Sequence, residues 1–148
     1  MAQERARSGN QDIAKDLVSK IVAPRSQHEA IQRVARILCE QTKFENAVIY
    51  AESIPRSSGV LFNAMEEIAL AAAESGDVQS AYRASRGMNP QGGLMPRKLR
   101  IISRMCTFFC RTGNKNEAIV FMSLGRNSRT SGEWIWKQIW SSIQLWRR

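Results

Sequence analysis

The sequence predicts an all-α protein folded as an α-solenoid of stacked helical hairpins, and three observations support this prediction. A short turn pattern recurs four times, the segments between the turns carry apolar residues at helical spacing, and no strand-like alternation of useful length occurs. We expect a single helical-repeat domain over residues 1–148, with about three hairpins, a leading half repeat and a C-terminal capping helix.

The recurring turn is the clearest regularity in the sequence. A residue that can begin a turn stands five positions before an alanine in four pairs: Gly9 and Ala14, Thr42 and Ala47, Gly76 and Ala81, Gly113 and Ala118. The alanines are 33, 34 and 37 residues apart, a period typical of stacked helical hairpins. A residue in the left-handed backbone conformation ends the first helix. The small alanine that follows allows the second helix to pack close to the first.

The predicted elements follow from this period. We expect a half repeat at 9–22 and hairpins at 26–54, 59–88 and 96–125, with first helices at 28–41, 60–75 and 97–112. The joints between repeats contain the prolines, which end one helix before the next begins: Pro24, Pro55, Pro90 and Pro96. The leading copy lacks a first helix, so either the solenoid begins with a half repeat or another chain completes it.

The segment 131–146 is predicted to form a Trp-rich helix that caps the last hairpin. One apolar face of this helix consists of Trp136, Ile139, Trp140 and Ile143. Three further apolar residues lie partly off that face, and we expect them to dock on a partner: Trp134, Ile135 and Trp146. A helix that is apolar over so much of its circumference usually makes a second contact, with a partner chain or a membrane surface.

The charge of the chain is unevenly distributed. The net charge is +9, but residues 1–94 carry 11 basic and 11 acidic residues, whereas residues 95–148 carry 11 basic residues and only Glu117 and Glu133. All the excess positive charge therefore belongs to the last third of the chain. Such asymmetry indicates a polyanionic partner, usually nucleic acid and less often an acidic protein or a membrane surface.

An arginine stripe accounts for much of this charge. Four arginines fall within about 60° of one another on the predicted helix 97–112: Arg97, Arg100, Arg104 and Arg111. Each guanidinium can donate two hydrogen bonds to a phosphate, so the row can follow an RNA backbone without reading bases. Four further basic residues could widen this surface: Lys98, Lys115, Arg126 and Arg129. The alternatives are an acidic protein partner and a solvated face with no partner.

The sequence offers little support for catalysis, metal binding or a membrane span. Its one histidine is His28, it has no glycine-rich phosphate loop or nucleophile elbow, and we expect no enzyme activity, no cofactor and no metal. The three cysteines show no repeated spacing, which favours a reducing compartment. The longest uncharged apolar run, 68–73, is far shorter than a bilayer span, and the N-terminus has no signal-peptide pattern, so we expect a soluble or peripheral protein.

The period and the segment "FFCRTGNKNEAIVFM" at 108–122 resemble the pentatricopeptide repeat. Residues 59–88 and 96–122 match it best. Tetratricopeptide repeats share the glycine and alanine positions, but Pro96 before the first helix and Met88 at the close of a second helix favour the pentatricopeptide family.

This resemblance implies single-stranded RNA binding in mitochondria or plastids, with one base read by each repeat. The base-facing positions that it implies are Gln32, Glu66 and Ser103, of which only Ser103 matches the usual small polar residue. We therefore expect a non-catalytic RNA-binding or scaffold subunit of a ribonucleoprotein, such as an organellar ribosome, with weak sequence specificity. Two alternative functions are a tetratricopeptide-like adaptor for a peptide or acidic protein and a basic all-α viral or matrix-like protein. The alternative location is the cytoplasm.

Overall fold

Helices provide all the regular secondary structure in residues 11–90 and 93–126, the part of the chain that the computed structural model describes. Seven helices occur in these residues: α1 (Gln11–Ser19), α2 (Pro24–Glu40), α3 (Phe44–Ala51), α4 (Gly59–Glu74), α5 (Val78–Gly87), α6 (Met95–Arg111) and α7 (Lys115–Arg126). The predicted all-α class is confirmed for this part of the chain. The Trp-rich helix predicted at 131–146 lies outside the described residues.

The chain divides between residues 91 and 92 into two compact units. In the first unit, α2 packs against α3 and α4 packs against α5. Helix α4 also contacts both α2 and α3, α1 contacts α2, and α5 contacts α3. In the second unit, α6 packs against α7. Neighbouring helices along the chain thus form three contacting pairs.

The three described turns within these pairs share one backbone geometry. Thr42, Gly76 and Gly113 have φ angles of 58°, 81° and 82°. The next backbone N–H in each turn donates to a carbonyl five residues earlier: Lys43 to Leu38 at 2.9 Å, Asp77 to Ala72 at 2.9 Å, and Asn114 to Phe109 at 2.8 Å. This is the Schellman arrangement. The predicted left-handed helix end is confirmed at all three turns, and Gly9 lies outside the described residues.

The alanines that follow these turns are buried against neighbouring helices. Ala47, Ala81 and Ala118 expose at most 1% of their surface, and Ala14, the alanine of the leading half repeat, is equally buried. In the second unit the thiol of Cys106 lies 3.5 Å from the carbonyl oxygen of Ala118, which places α6 and α7 in close contact. A side chain larger than methyl at these positions would push the paired helices apart.

Capping residues and prolines set the helix starts. Ser58 Oγ accepts from the backbone N–H of Val60 at 3.3 Å, and Asp77 Oδ1 accepts from that of Ser80 at 3.0 Å. Pro24 is the first residue of α2, four residues before the predicted start of this helix. The difference arises because proline is compatible with the first turn of a helix, where its missing N–H is not needed.

Candidate nucleic-acid interface

Helix α6 carries the candidate interface on the side away from its core. Its buried side consists of Leu99, Ile101, Ile102, Met105, Cys106 and Phe109. Four exposed arginines occupy the opposite side, and we call them the basic face of α6: Arg97, Arg100, Arg104 and Arg111. The helical periodicity that buries the apolar set therefore brings these guanidinium groups onto one surface.

The basic face is long and has few acidic neighbours. Arg97 and Arg111 are separated by about 21 Å along the axis of an α-helix. Helix α6 contains no acidic residue, and Glu117 on α7 is the one acidic residue within residues 93–126. Residues 93–126 therefore carry a net positive charge, which suits a surface that binds phosphate groups.

The other basic residues predicted for the interface have different surroundings. Lys98 lies about 100° around the helix from Arg97. It is half-buried, and desolvation lowers the pKa of its ammonium group. Lys115 is exposed at the start of α7. Lys98 is thus the least accessible of the predicted basic residues that the structure describes.

Several predicted site residues lie outside the described part of the chain. These are the Arg126 side chain, Arg129, Trp134, Ile135 and Trp146. The predicted partner-docking group falls entirely in this set. The described part of the candidate interface therefore consists of the basic face of α6, Lys98 and Lys115.

In the first unit, two arginines are bound to carboxylates of other helices. Arg36 on α2 donates to both carboxylate oxygens of Glu67 on α4, at 2.7 and 3.1 Å. Arg83 on α5 does the same to Glu52, which follows α3, at 2.6 and 3.1 Å. These hydrogen bonds raise the pKa of both guanidinium groups. Neither ion pair was predicted from the repeat, because their shared separation of 31 residues differs from the alanine intervals of 33, 34 and 37 residues.

The three positions implied as base-facing lie at equivalent places on the first helix of each pair. Gln32 is on α2, Glu66 on α4 and Ser103 on α6, and all three are partly buried. The Gln32 amide donates to Glu67 Oε1 at 3.1 Å, so it joins the ion pair of Arg36. This amide is therefore engaged within the protein.

A cleft of about 300 Å³ lies in the first unit among α1, α2 and the end of α3. Its walls are mainly apolar and include Val18, Ile31 and Ile49, with His28 and Tyr50 among the polar residues. The Tyr50 hydroxyl is buried and has no hydrogen-bond partner within the described residues. Burial raises the pKa of Tyr50 to about 12. The cleft has the size and the mainly apolar walls to accept an apolar side chain.

The described residues contain neither a metal-ligand cluster nor a helix that could span a membrane. No group of three His, Cys, Asp or Glu side chains there is arranged to hold a metal ion. None of the helices α1 to α7 combines the length and apolar character needed to cross a membrane. The cysteines are free thiols, and burial raises the pKa of Cys39 and Cys106 to about 12.

Comparison of the chain with protein-family models, curated proteins and solved structures finds no match. Among the described residues, the basic face of α6 combines exposure, regular spacing and a single sign of charge. That combination is suited to a row of phosphate groups.

Proposed function

We propose that this protein is a non-catalytic RNA-binding subunit of a ribonucleoprotein, and that it contacts the RNA backbone through the basic face of α6. The observation that carries the proposal is the row of four exposed arginines on a helix without acidic residues. Arginine suits phosphate because its planar guanidinium donates two parallel hydrogen bonds. Contacts of this kind position a nucleic acid without reading its sequence.

The contrast between the two units supports this proposal. Position 67 supplies the carboxylate that binds Arg36 in the first unit. The equivalent position in α6, 37 residues later, is Arg104. The place in the repeat that carries a carboxylate in α4 thus carries a guanidinium group in α6, which adds to the positive charge of the basic face.

The proposed fold is an α-solenoid that resembles the pentatricopeptide repeat. It is supported by the recurrence of one turn geometry at Thr42, Gly76 and Gly113, and by the contacts of α4 with both helices of the preceding pair. The resemblance favours single-stranded RNA and a mitochondrial or plastid ribonucleoprotein. Weak sequence specificity is expected, because the Gln32 amide is bound to Glu67 and Glu66 carries a negative charge.

The proposal is tested by measuring the affinity for a labelled single-stranded RNA of mixed sequence at several salt concentrations. The test variant replaces three members of the basic face with alanine: Arg97, Arg100 and Arg104. A matched control replaces three exposed arginines of the first unit, so that the net charge changes equally: Arg33, Arg56 and Arg86. All six residues are exposed, and circular dichroism checks that both variants fold.

We expect wild type to bind RNA with an affinity that falls steeply between about 50 and about 200 mM salt. Loss of three phosphate contacts on a single strand should reduce the slope of log K against log salt by about 2. The control variant should keep most of the affinity and the slope. Equal losses of RNA affinity in the two variants would show that binding depends only on net charge. That result would contradict a specific role for the basic face.

A second candidate function, a peptide-binding adaptor, is favoured by the apolar cleft around Tyr50. An adaptor of this kind would bind its peptide in the first unit and would not need the basic face of α6. The RNA measurement separates the two functions, because absence of RNA binding by wild type at low salt would favour the adaptor.

A further inference from the structure

The row of arginines on α6 has one gap. Successive members of the basic face are three or four residues apart, except that Arg104 and Arg111 are seven apart. A step of four residues from Arg104 leads to Phe108, and a further step of three leads to Arg111. Residues at these spacings are neighbours on the surface of an α-helix. An aromatic side chain therefore occupies the place in the row where a further arginine would lie.

Phe108 lies at the edge of the basic face and keeps part of its surface in solvent. Viewed along the helix axis, it is within about 60° of both Arg104 and Arg111, whose side chains are exposed. On its other side, Ile101 and Met105 are buried in the core of the second unit. The surface of α6 thus combines positive charge with an accessible aromatic ring.

Contacts with the core support the ring of Phe108. It meets the ring of Phe109 edge to face, with the centroids 5.7 Å apart and the ring planes at 79°. Phe109 is fully buried and stacks on Phe121 of α7, with the centroids 5.2 Å apart. A ring that is already held by its neighbours loses little further freedom when a ligand packs on it, which favours binding.

We propose that Phe108 stacks on a base of the bound RNA, and that the basic face of α6 consequently prefers single strands to duplexes. This inference rests on the RNA-binding function proposed above. Proteins that bind single strands combine positive charge along the backbone with aromatic side chains on which bases stack. In a duplex the bases are already paired and stacked on one another, so α6 would contact only the backbone.

A stacked base and a phosphate contact respond differently to salt. Phosphate contacts release counterions from the RNA, so their contribution to affinity falls as salt rises. Stacking joins two uncharged ring surfaces. Removal of the Phe108 ring should therefore lower the affinity without changing the slope of log K against log salt, whereas removal of arginines from the basic face should lower both.

The experiment compares Phe108→Leu and Phe108→Tyr with wild type in the full chain. Leucine keeps an apolar side chain but has no ring, whereas tyrosine keeps the ring. Tyr82→Leu is the matched control, because Tyr82 is a partly exposed aromatic residue on α5 in the first unit. Circular dichroism checks that every variant folds.

Affinity is measured at several salt concentrations for three labelled probes of equal length. These are a single-stranded RNA of mixed sequence, the same ribose-phosphate strand without bases, and the duplex of the first strand with its complement. The strand without bases offers the phosphates of a flexible single strand but nothing that can stack. Comparison of the two single strands therefore isolates the contribution of the bases.

We expect wild type to bind the single-stranded RNA more tightly than either other probe. Phe108→Leu should weaken this binding at least about 5-fold, with an unchanged salt slope. Its affinity for the strand without bases and for the duplex should stay close to that of wild type. Phe108→Tyr and Tyr82→Leu should bind all three probes as wild type does.

Two results would overturn the inference and leave the proposed function in place. One is equal affinity of Phe108→Leu and wild type for the single-stranded RNA. The other is an equal loss of affinity for all three probes, which would show that leucine disturbs α6 and does not remove a stacked base. Failure of wild type to bind any probe at low salt would overturn the proposed function and this inference with it.

Discussion

Arg36 and Glu67, 31 residues apart on α2 and α4, are joined by two hydrogen bonds between guanidinium and carboxylate. Arg83 and Glu52 have the same separation and the same two-point geometry, but the arginine is the later residue. One ion pair thus joins the first helices of two neighbouring pairs, and the other joins the second helices. The packing between the two pairs in the first unit is therefore supported by two ion pairs.

The Arg36–Glu67 pair should stabilise the first unit only modestly. Its side chains are 57% and 36% exposed, so water and salt screen the attraction. We expect a double-mutant cycle with Arg36→Met and Glu67→Gln to give a coupling free energy of about 0.5–1 kcal/mol at low salt. Urea unfolding at low and high salt measures this coupling, which should decrease as salt rises. A coupling that does not depend on salt would show that the pair is not screened as expected.

Replacement of Thr42 by glycine should stabilise the protein. A β-branched residue at φ 58° is strained, whereas glycine accepts this conformation freely. Relief of the strain exceeds the entropy that glycine gains in the unfolded chain, so we expect the free energy of unfolding to rise by about 0.5–1 kcal/mol. Urea unfolding of Thr42→Gly against wild type checks this. An unchanged or lowered midpoint would contradict it.

The reverse change at Gly76 provides the complementary test. Gly76 has φ 81° and no atom within 4 Å of where a Cβ would lie, so the cost of Gly76→Ala is conformational, about 1 kcal/mol. Gly59 also has open space around it but lacks a positive φ. Gly59→Ala should therefore not destabilise the protein. If Gly59→Ala and Gly76→Ala lowered the free energy of unfolding equally, the cause would be something other than backbone strain.

Enlargement of Ala81 should force α4 and α5 apart. Ala81 is fully buried, and we expect Ala81→Leu to lower the free energy of unfolding by about 1–3 kcal/mol. Gln79 is exposed on the same helix, so Gln79→Leu should change stability by less than about 0.5 kcal/mol. Thermal or urea unfolding of the two variants distinguishes close helix packing from a general effect of leucine in α5.

Burial of Cys106 should make stability depend on pH in the alkaline range. Desolvation raises the pKa of this thiol from 9.0 to about 12, with a smaller contribution from Cys110. Above pH 9 the unfolded chain therefore loses this proton while the folded chain keeps it, so the free energy of unfolding falls as pH rises. The slope for this thiol approaches about 1.4 kcal/mol per pH unit.

Urea unfolding from about pH 8 to about pH 10 measures this slope in wild type and in Cys106→Ala. In Cys106→Ala the free energy of unfolding should fall less steeply with rising pH than in wild type. It should not become independent of pH, because the pKa of Cys39 is also raised to about 12. Parallel curves for the two proteins would contradict the assignment to Cys106.

The turns were predictable because their signal is local. Alignment on the alanines puts Thr42 at the glycine position, and its positive φ angle confirms this prediction. The backbone geometry that ends a helix depends on a few adjacent residues, so a short pattern suffices to predict it. The exposure of Arg97, Arg100 and Arg104 followed in the same way from the helical repeat.

The polar contacts between helix pairs were not predictable from the repeat. The period aligns equivalent residues, but Arg36 and Glu67 occupy different positions of the repeat and meet only when α2 and α4 pack together. The partial burial of Lys98 was not predicted for a related reason: its charge suits the interface, but its position on α6 lies away from the basic face. Side-chain partners depend on three-dimensional packing, which spacing alone does not define.

The repeated turn also affects how fast the chain can fold. Each turn is closed by hydrogen bonds between residues five apart, and each pair joins helices that are consecutive in sequence. Contacts of such short sequence separation lower the contact order, and proteins with low contact order fold rapidly. During synthesis, each hairpin can therefore form soon after its second helix leaves the ribosome, before the rest of the chain has been made.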